Sequence, residues 1–300
     1  MINDTFEACI LGGAIGDAWG SSVENQVVVN DTKTYYLGGK VLTPATWFIT
    51  DDTQLTLATC EALTEADFNP EILAKKFLEY YKQKKITGIG TSTLKAILDL
   101  KAGIHWTLAG RQGAYAAGNG AAMRIAPFAF YSGTTRENIL DACRITHRND
   151  DAYVGALAVY LSIKAIINRD WDGRTNLLDL IIPELPDTNV KDRMIEINNY
   201  PKNTTISDIA KLGNNGYVVN SVPFAIFSAT KILELGLTKL LRSIIDTHGD
   251  TDTNASIAGQ ISGALIGMSG IPNQLVEKLK FLPDYLWIKS TIDKANTSIH

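Results

Sequence analysis

Glycine recurs at every fourth position in two places, at Gly12, Gly16 and Gly20 near one end and at Gly259, Gly263 and Gly267 near the other. Inside a helix each glycine costs about 1 kcal/mol against alanine, so three on one face require a compensating contact. Close backbone approach supplies one, because a helix face without side chains lets another helix come nearer than Cβ atoms would permit. The spacing predicts two buried, central helices, and it allows them to pack on each other.

The rest of the chain reads as helical. Asp4-Thr5-Phe6-Glu7 has the form of a capping box, and Asn69-Pro70-Glu71 is a helix start with asparagine as cap and proline in the first turn. Helical stretches are expected at 54–66, 92–100, 136–146, 152–168, 221–235, 238–247 and 253–268. Strand signals are weak: 26–29 and 33–37 would form a small hairpin at most. The segment 187–216 is polar and rich in turn residues, which predicts a surface excursion. Neither repeats nor linkers divide the sequence, so residues 1–300 are read as a single compact, orthogonal all-α domain.

Two acidic clusters carry the chemical signal: Thr50-Asp51-Asp52-Thr53 and Asp250-Thr251-Asp252-Thr253. Each opens a helical stretch, where one carboxylate is commonly no more than a cap favoured by the helix dipole. Capping needs one carboxylate per helix, however, and here there are two, flanked by matching hydroxyls. Four carboxylates brought together could not all stay ionised without a counter-charge. Oxygen-only donors of this hardness suit magnesium, manganese or calcium over zinc or copper, so the clusters predict a site for divalent cations, two being the simplest count.

Composition limits the alternatives. Apolar residues make up 45% and charged residues 20% of 300 positions, which marks a globular chain with ample core. The net charge of −4, with no Lys/Arg block, disfavours charge-driven nucleic-acid binding. Cys9, Cys60 and Cys143 are odd in number and scattered among apolar neighbours, as expected of buried thiols in a reducing compartment. No basic segment precedes an apolar run at the N-terminus, and 255–271 is too short and polar to span a bilayer. A cytoplasmic monomer without membrane contact is the expectation. Other candidates are weaker. Asp17, inside the first glycine-faced helix, is a costly buried charge that reads as a structural cap at least as readily as a catalytic group. Glu24 reads equally as a general base or as a surface residue. Gly118-Asn119-Gly120 is a tight turn whose amides could cradle phosphate. His147 has no ligand-spaced partner. Ser92, Ser221 and Cys143 lack a base and orienter for nucleophilic catalysis.

Taken together, these elements resemble the ADP-ribosylglycohydrolases. The resemblance is carried by 11–20 (LGGAIGDAWG) with Glu24, by Thr50 to Thr53, by 118–124 (GNGAAMR), by Thr146-His147, by Ser221-Val222-Pro223 and by 249–253 (GDTDT) with Ala258-Gly259. It runs over roughly residues 5–275 in the family's order. It implies an all-helical domain with two magnesium or manganese ions at the base of an ADP-ribose cleft, ligated here by Thr50, Asp51, Asp52, Asp250, Asp252 and Thr253. It further implies that Gly118, Asn119 and Gly120 lie near the diphosphate and His147 near the distal part of the ligand. Glu24, Asp52 and Asp252 would carry catalysis on an ADP-ribosylated protein substrate, releasing ADP-ribose. Three positions depart from the family pattern. His248 replaces a glycine and is expected to tighten the pocket floor or add a polar group. Phe48-Ile49 stands where an aromatic usually precedes the threonine directly, and only a packing effect is expected. Ala116 and Ala117 are small where serine-directed members carry larger contacts, which favours an arginine-linked substrate.

Overall fold

A computed structural model describes residues 2–24, 46–65 and 68–299. The hairpin expected at 26–29 and 33–37 lies outside them. The described residues form helices α1 (Ile2–Glu24), α2 (Asp51–Glu65), α3 (Pro70–Lys82), α4 (Thr91–Lys101), α5 (Arg136–Arg144), α6 (Asp150–Ile167) and α7 (Leu177–Ile181). Seven more follow: α8 (Asn189–Asn198), α9 (Ile206–Ala210), α10 (Val218–Ala229), α11 (Ile232–Ile245), α12 (Thr251–Gly270), α13 (Asn273–Lys280) and α14 (Tyr285–Asn296). Among the described residues the extended structure amounts to one short parallel pairing, Arg111–Gln112 against His147–Arg148, and an isolated bridge between Gly118 and Tyr217. The all-α architecture is as expected. No described helix is long and apolar enough to cross a membrane.

Helices α1 and α12 lie at the centre and touch backbone to backbone. A Cβ at Gly12 or Gly16 would overlap the carbonyl oxygens of Gly259 and Ala255, and one at Gly263 would overlap that of Ala8. The glycine faces therefore do pack on each other. Gly267 is the exception: its backbone is left-handed (φ 64°) and breaks α12, so the third glycine of that set serves a kink. Around this pair the core is contiguous, built from Phe6, Ile10, Ile15, Leu55, Phe77, Phe128, Phe224, Ile257 and their neighbours.

Several local expectations need correction. The Asp4/Glu7 capping box does not form, because α1 already begins at Ile2. Asp4 instead accepts from Met268 N of α12, and Glu7 pairs with Lys289 of α14 at 2.7 Å. The stretch 221–235 is not one helix: α10 ends at Ala229 and α11 resumes at Ile232, with a second break at Gly236 (φ 68°). The polar segment 187–216 is not a plain excursion, since α8 and α9 lie within it and bury Val190, Met194, Ile197, Ile206 and Ile209. In α8 those apolar residues fall at i, i+4 and i+7, one helix face among polar neighbours. All three cysteines are free and buried, as expected.

Candidate active site

The site begins with how α1 holds the start of α2. Asp17 is fully buried, and its carboxylate accepts from the backbone N–H groups of Thr50 (2.9 Å) and Thr53 (3.1 Å). It also accepts from the hydroxyls of both threonines. The first turn of a helix leaves its N–H groups without intrahelical partners, and here a carboxylate from another helix takes two of them. Asp17 is thus the cap of α2, delivered across the tertiary structure. This frees Asp51 and Asp52 from capping.

The second cluster meets the first at the head of α12. Thr253 Oγ1 donates to Asp52 Oδ2 at 3.1 Å, and Asn119 Nδ2 donates to Asp250 Oδ2 at 2.6 Å. Two sets of carboxylates converge, Asp17, Asp52 and Asp252 in one and Glu24, Asp250 and Asp252 in the other, each with its oxygens within 4.8 Å of one another. Asp252 belongs to both. Asp51 stands outside these sets and accepts from Gly90 N at 3.3 Å. Burial holds every one of these acids above its ordinary range, and for all but Asp17 the neighbouring charges add to it. Burial pushes Asp51 up to about 8, the charges of Asp17 and Asp250 adding to it and the Gly90 amide opposing it. Asp250 rises to about 7 through burial and the neighbouring Asp252, with Asn119 opposing, and Asp252 rises to about 7 through burial and the charges of Glu24 and Asp17, its hydrogen bond with Asp250 opposing. Asp52 is driven well above the carboxylate range by burial and by Asp252, and Asp17 and Glu24 are raised by burial. Among the described residues no Lys or Arg side chain lines the cleft above them.

These residues fit a hard divalent cation. Asp52 Oδ1 is buried and accepts no hydrogen bond, an anionic oxygen left without a donor. A carboxylate cluster with no cationic side chain among the described residues of its cleft can gain the counter-charge it needs from magnesium, manganese or calcium. Two overlapping sets sharing Asp252 could hold two such ions.

Above the acids lies a cleft of about 720 Å³. Glu24, Thr50, Asp51, Asp250, Asp252 and Thr253 form its floor, Gly118, Asn119, Gly120 and His147 one wall, and Phe48 part of its mouth. Asp52 lies beneath, within reach of the floor through Thr253. His147 is buried, and burial together with Arg124 pushes it down to about 3, so it is neutral. Further lining was not foreseen: Thr87, Gly88, Gly90 and Thr91 to Thr93 at the head of α4, with Asn215 and Gly216. Ser92 therefore lines the cleft without belonging to a nucleophilic triad. Two of the departures can be placed against the cleft. His248 is exposed and absent from the cleft lining, so it neither tightens the floor nor adds a polar group there. Phe48 is partly exposed and lines the cleft.

Over residues 2–299 the sequence matches the profile of the ADP-ribosylglycohydrolases. The chain belongs to the ADP-ribosylglycohydrolase family. As a member of that family it is a hydrolase of ADP-ribosyl groups. An uncharacterised protein of Archaeoglobus fulgidus is 31% identical over 297 residues, covering 93% of this chain and 92% of its own length. ADP-ribosylhydrolase ARH3 of Gallus gallus is 26% identical, covering 89% of this chain and 86% of its own. ADP-ribosylarginine hydrolase Tri1 of Pseudomonas putida is also 26% identical, over 92% of this chain and 74% of its own. A solved structure described as an ADP-ribosylglycohydrolase-related protein complex superimposes with a TM-score of 0.71 at 22% identity, covering 99% of this chain and 98% of its own, and so shares the fold. The convergence of both acidic motifs on one cleft is what an ADP-ribosylglycohydrolase needs for a metal-assisted reaction at a sugar.

Proposed function

We propose that this ADP-ribosylglycohydrolase removes mono-ADP-ribose from modified protein side chains, with the N-glycosidic link to arginine as its substrate bond. The observation that carries the reading is the acidic cleft floor, Asp51, Asp250, Asp252 and Glu24 with Asp52 beneath, and no cationic side chain among the described residues that line the cleft. Likeness to a protein named ADP-ribosylarginine hydrolase supports the arginine linkage. Asp52, Asp250, Asp252, Thr50, Thr253 and Asp51 would hold two magnesium or manganese ions, with Asp17 close enough to join them. Such ions, when bound, orient the ribose hydroxyls and acidify water.

The chain's own residues account for the remainder. Hydrolysis at the anomeric carbon passes through an oxocarbenium-like state and needs a placed water and help for the leaving group. Glu24 stands at the exposed edge of the acidic set, where water reaches it, and takes the proton as the water oxygen bonds to the ribose carbon. The carbon–nitrogen bond breaks, and the departing guanidine nitrogen takes up the proton that Glu24 accepted from the water, restoring arginine, freeing ADP-ribose and returning Glu24 to its carboxylate. General acid–base help of this kind contributes about 10²–10⁴-fold. Asn119 holds Asp250 in place, and the Gly118–Gly120 turn and His147 face the body of the ligand. Asp252, common to both carboxylate sets, aligns the floor. The enzyme acts as a cytoplasmic monomer in this reading, without a nucleic-acid partner.

The test is release of ADP-ribose from arginine-, serine- and acetyl-linked substrates with manganese, magnesium or excess chelator. Metal-dependent release from the arginine link is expected. Release from another link alone would replace the substrate, and tight ADP-ribose binding without any release would make the chain a binding protein.

A further inference from the structure

Arg124 is fully buried, an expensive place for a guanidinium, and the reaction above gives it no task. Its Nη2 donates to Thr146 Oγ1 at 2.7 Å and to Ala142 O at 3.2 Å, and its guanidinium carbon lies 4.7 Å from the centre of the Phe77 ring. Thr146 Oγ1 lies 2.7 Å from His147 Nδ1. At the far edge of that imidazole, Nε2 faces the Gly118–Gly120 turn so closely that a Cβ at either glycine would stand 3.2 Å from it. Backbone contacts fix the ring's base, for Cys143 Sγ donates to His147 O.

Arginine sets the direction of this chain of hydrogen bonds. A guanidinium only donates and keeps its charge. It occupies one lone pair of Thr146 Oγ1, so the hydroxyl proton has to find an acceptor, and Nδ1 is the neighbour in reach. Were Nδ1 protonated, it would aim a donor at an oxygen already under a cation, and a buried hydroxyl proton would lose its acceptor. An imidazolium would meet the same conflict with a second positive charge close by.

We infer that Arg124 and Thr146 are positioning residues that lock His147 as the neutral tautomer protonated on Nε2. The cleft wall thereby presents an uncharged N–H donor beside the Gly118–Gly120 turn. A nitrogen that already carries its proton cannot act as a general base. It recognises an acceptor oxygen of the bound ADP-ribosyl group, a role that rests on the function proposed above.

The test is nitrogen NMR of the full, metal-loaded chain labelled at histidine, at neutral pH, with His147 assigned by its loss in His147→Gln. The expected spectrum shows Nδ1 without a proton and Nε2 with one. Thr146→Ser keeps that pattern. Thr146→Val, equal in shape but lacking the hydroxyl, gives mixed tautomers and weakens calorimetric ADP-ribose binding about tenfold, equivalent to about 1.4 kcal/mol. A wild-type proton on Nδ1 overturns the proposal even if no variant folds. So does a folded Thr146→Val that retains both the Nε2–H tautomer and the affinity. The tautomer is read without substrate, so an Nε2–H signal alongside no ADP-ribose binding by the wild type would overturn the ligand-facing role and the hydrolase reading, while leaving the relay itself intact.

Discussion

Stripping the metal and raising the pH should destabilise this protein, by an amount the acidic floor sets. Asp51 titrates at about 8 and Asp250 and Asp252 at about 7, against an ordinary 3.8 for aspartate. In each case the folded pKa lies above the unfolded one, so the folded chain binds the proton more tightly. That stabilisation is complete below the ordinary aspartate pKa and is lost as pH rises through the folded values. Between those limits a group loses about 1.4 kcal/mol per pH unit. Asp51 is buried and counts in full, giving up roughly 3 kcal/mol between about pH 5 and about pH 7. Asp250 and Asp252 are half-buried and repel each other, so solvent screening and coupling reduce their joint share to roughly 1 kcal/mol. The sum, roughly 4 kcal/mol, corresponds to a fall in Tm of about 8 °C for a chain of this size. Bound metal displaces the same protons, so the Tm rise on adding manganese should be larger at the higher pH. Thermal unfolding in chelator and in manganese, across that range, reads both quantities. A chelated Tm that is flat or climbs with pH, or a metal-induced rise equal at both ends, would refute the argument.

Asp252→Ala removes the carboxylate common to both sets and should abolish metal-dependent ADP-ribose release while weakening manganese binding by calorimetry; full turnover with unchanged affinity would remove Asp252 from the site. Asp17→Ala strips the cap from α2 and should cost about 3 kcal/mol in urea unfolding, more than one hydrogen bond is worth, and an unchanged midpoint would show that α2 does not depend on it. Gly16→Ala and Gly20→Ala each force a Cβ into the backbone of α12 and should both lower stability by about 1–3 kcal/mol. Only Gly20→Ala should also weaken manganese binding, because its Cβ would meet Asp252; equal metal affinity in the two variants would contradict this.

Much of this was legible in the residues. The glycine spacing revealed the central helix pair, because a backbone contact leaves the same mark wherever it occurs. The acidic motifs were legible because two adjacent carboxylates exceed what a cap requires. Asp17 was half legible: its burial followed from the glycine-faced helix, but its partners Thr50 and Thr53 belong to another helix and appear only on folding. The lining at Thr87 to Thr93 was missed for a related reason, since glycine, serine and threonine there look like any loop before a helix. Arg124 was visible only as the end of the 118–124 stretch, and its burial gave no signal, as nothing local tells a buried arginine from a solvated one. Asp4 and Glu7 misled because a correct local capping pattern lost its residues to Met268 and Lys289.

The glycine faces read in sequence as packing alone, but they also determine the chemistry. Helix α1 carries Asp17 and Glu24, and α12 carries Asp252 in its first turn. At Gly20 the two main chains meet beside Thr251 and Asp252. No side-chain rotamer therefore intervenes between the frames that hold these acids. Like charges on flexible side chains would relieve their repulsion by swinging apart, and a cation would have to gather them again at an entropic cost. With their main chains in contact, and Asp17 further tied down by Thr50 and Thr53, the buried acids have little room to swing apart; burial first, and for all but Asp17 the neighbouring charges, raise their pKa values and favour taking up protons. The backbone contact and the Thr50 and Thr53 hydrogen bonds thus set where these acids stand, which lowers the ordering cost a cation would meet there.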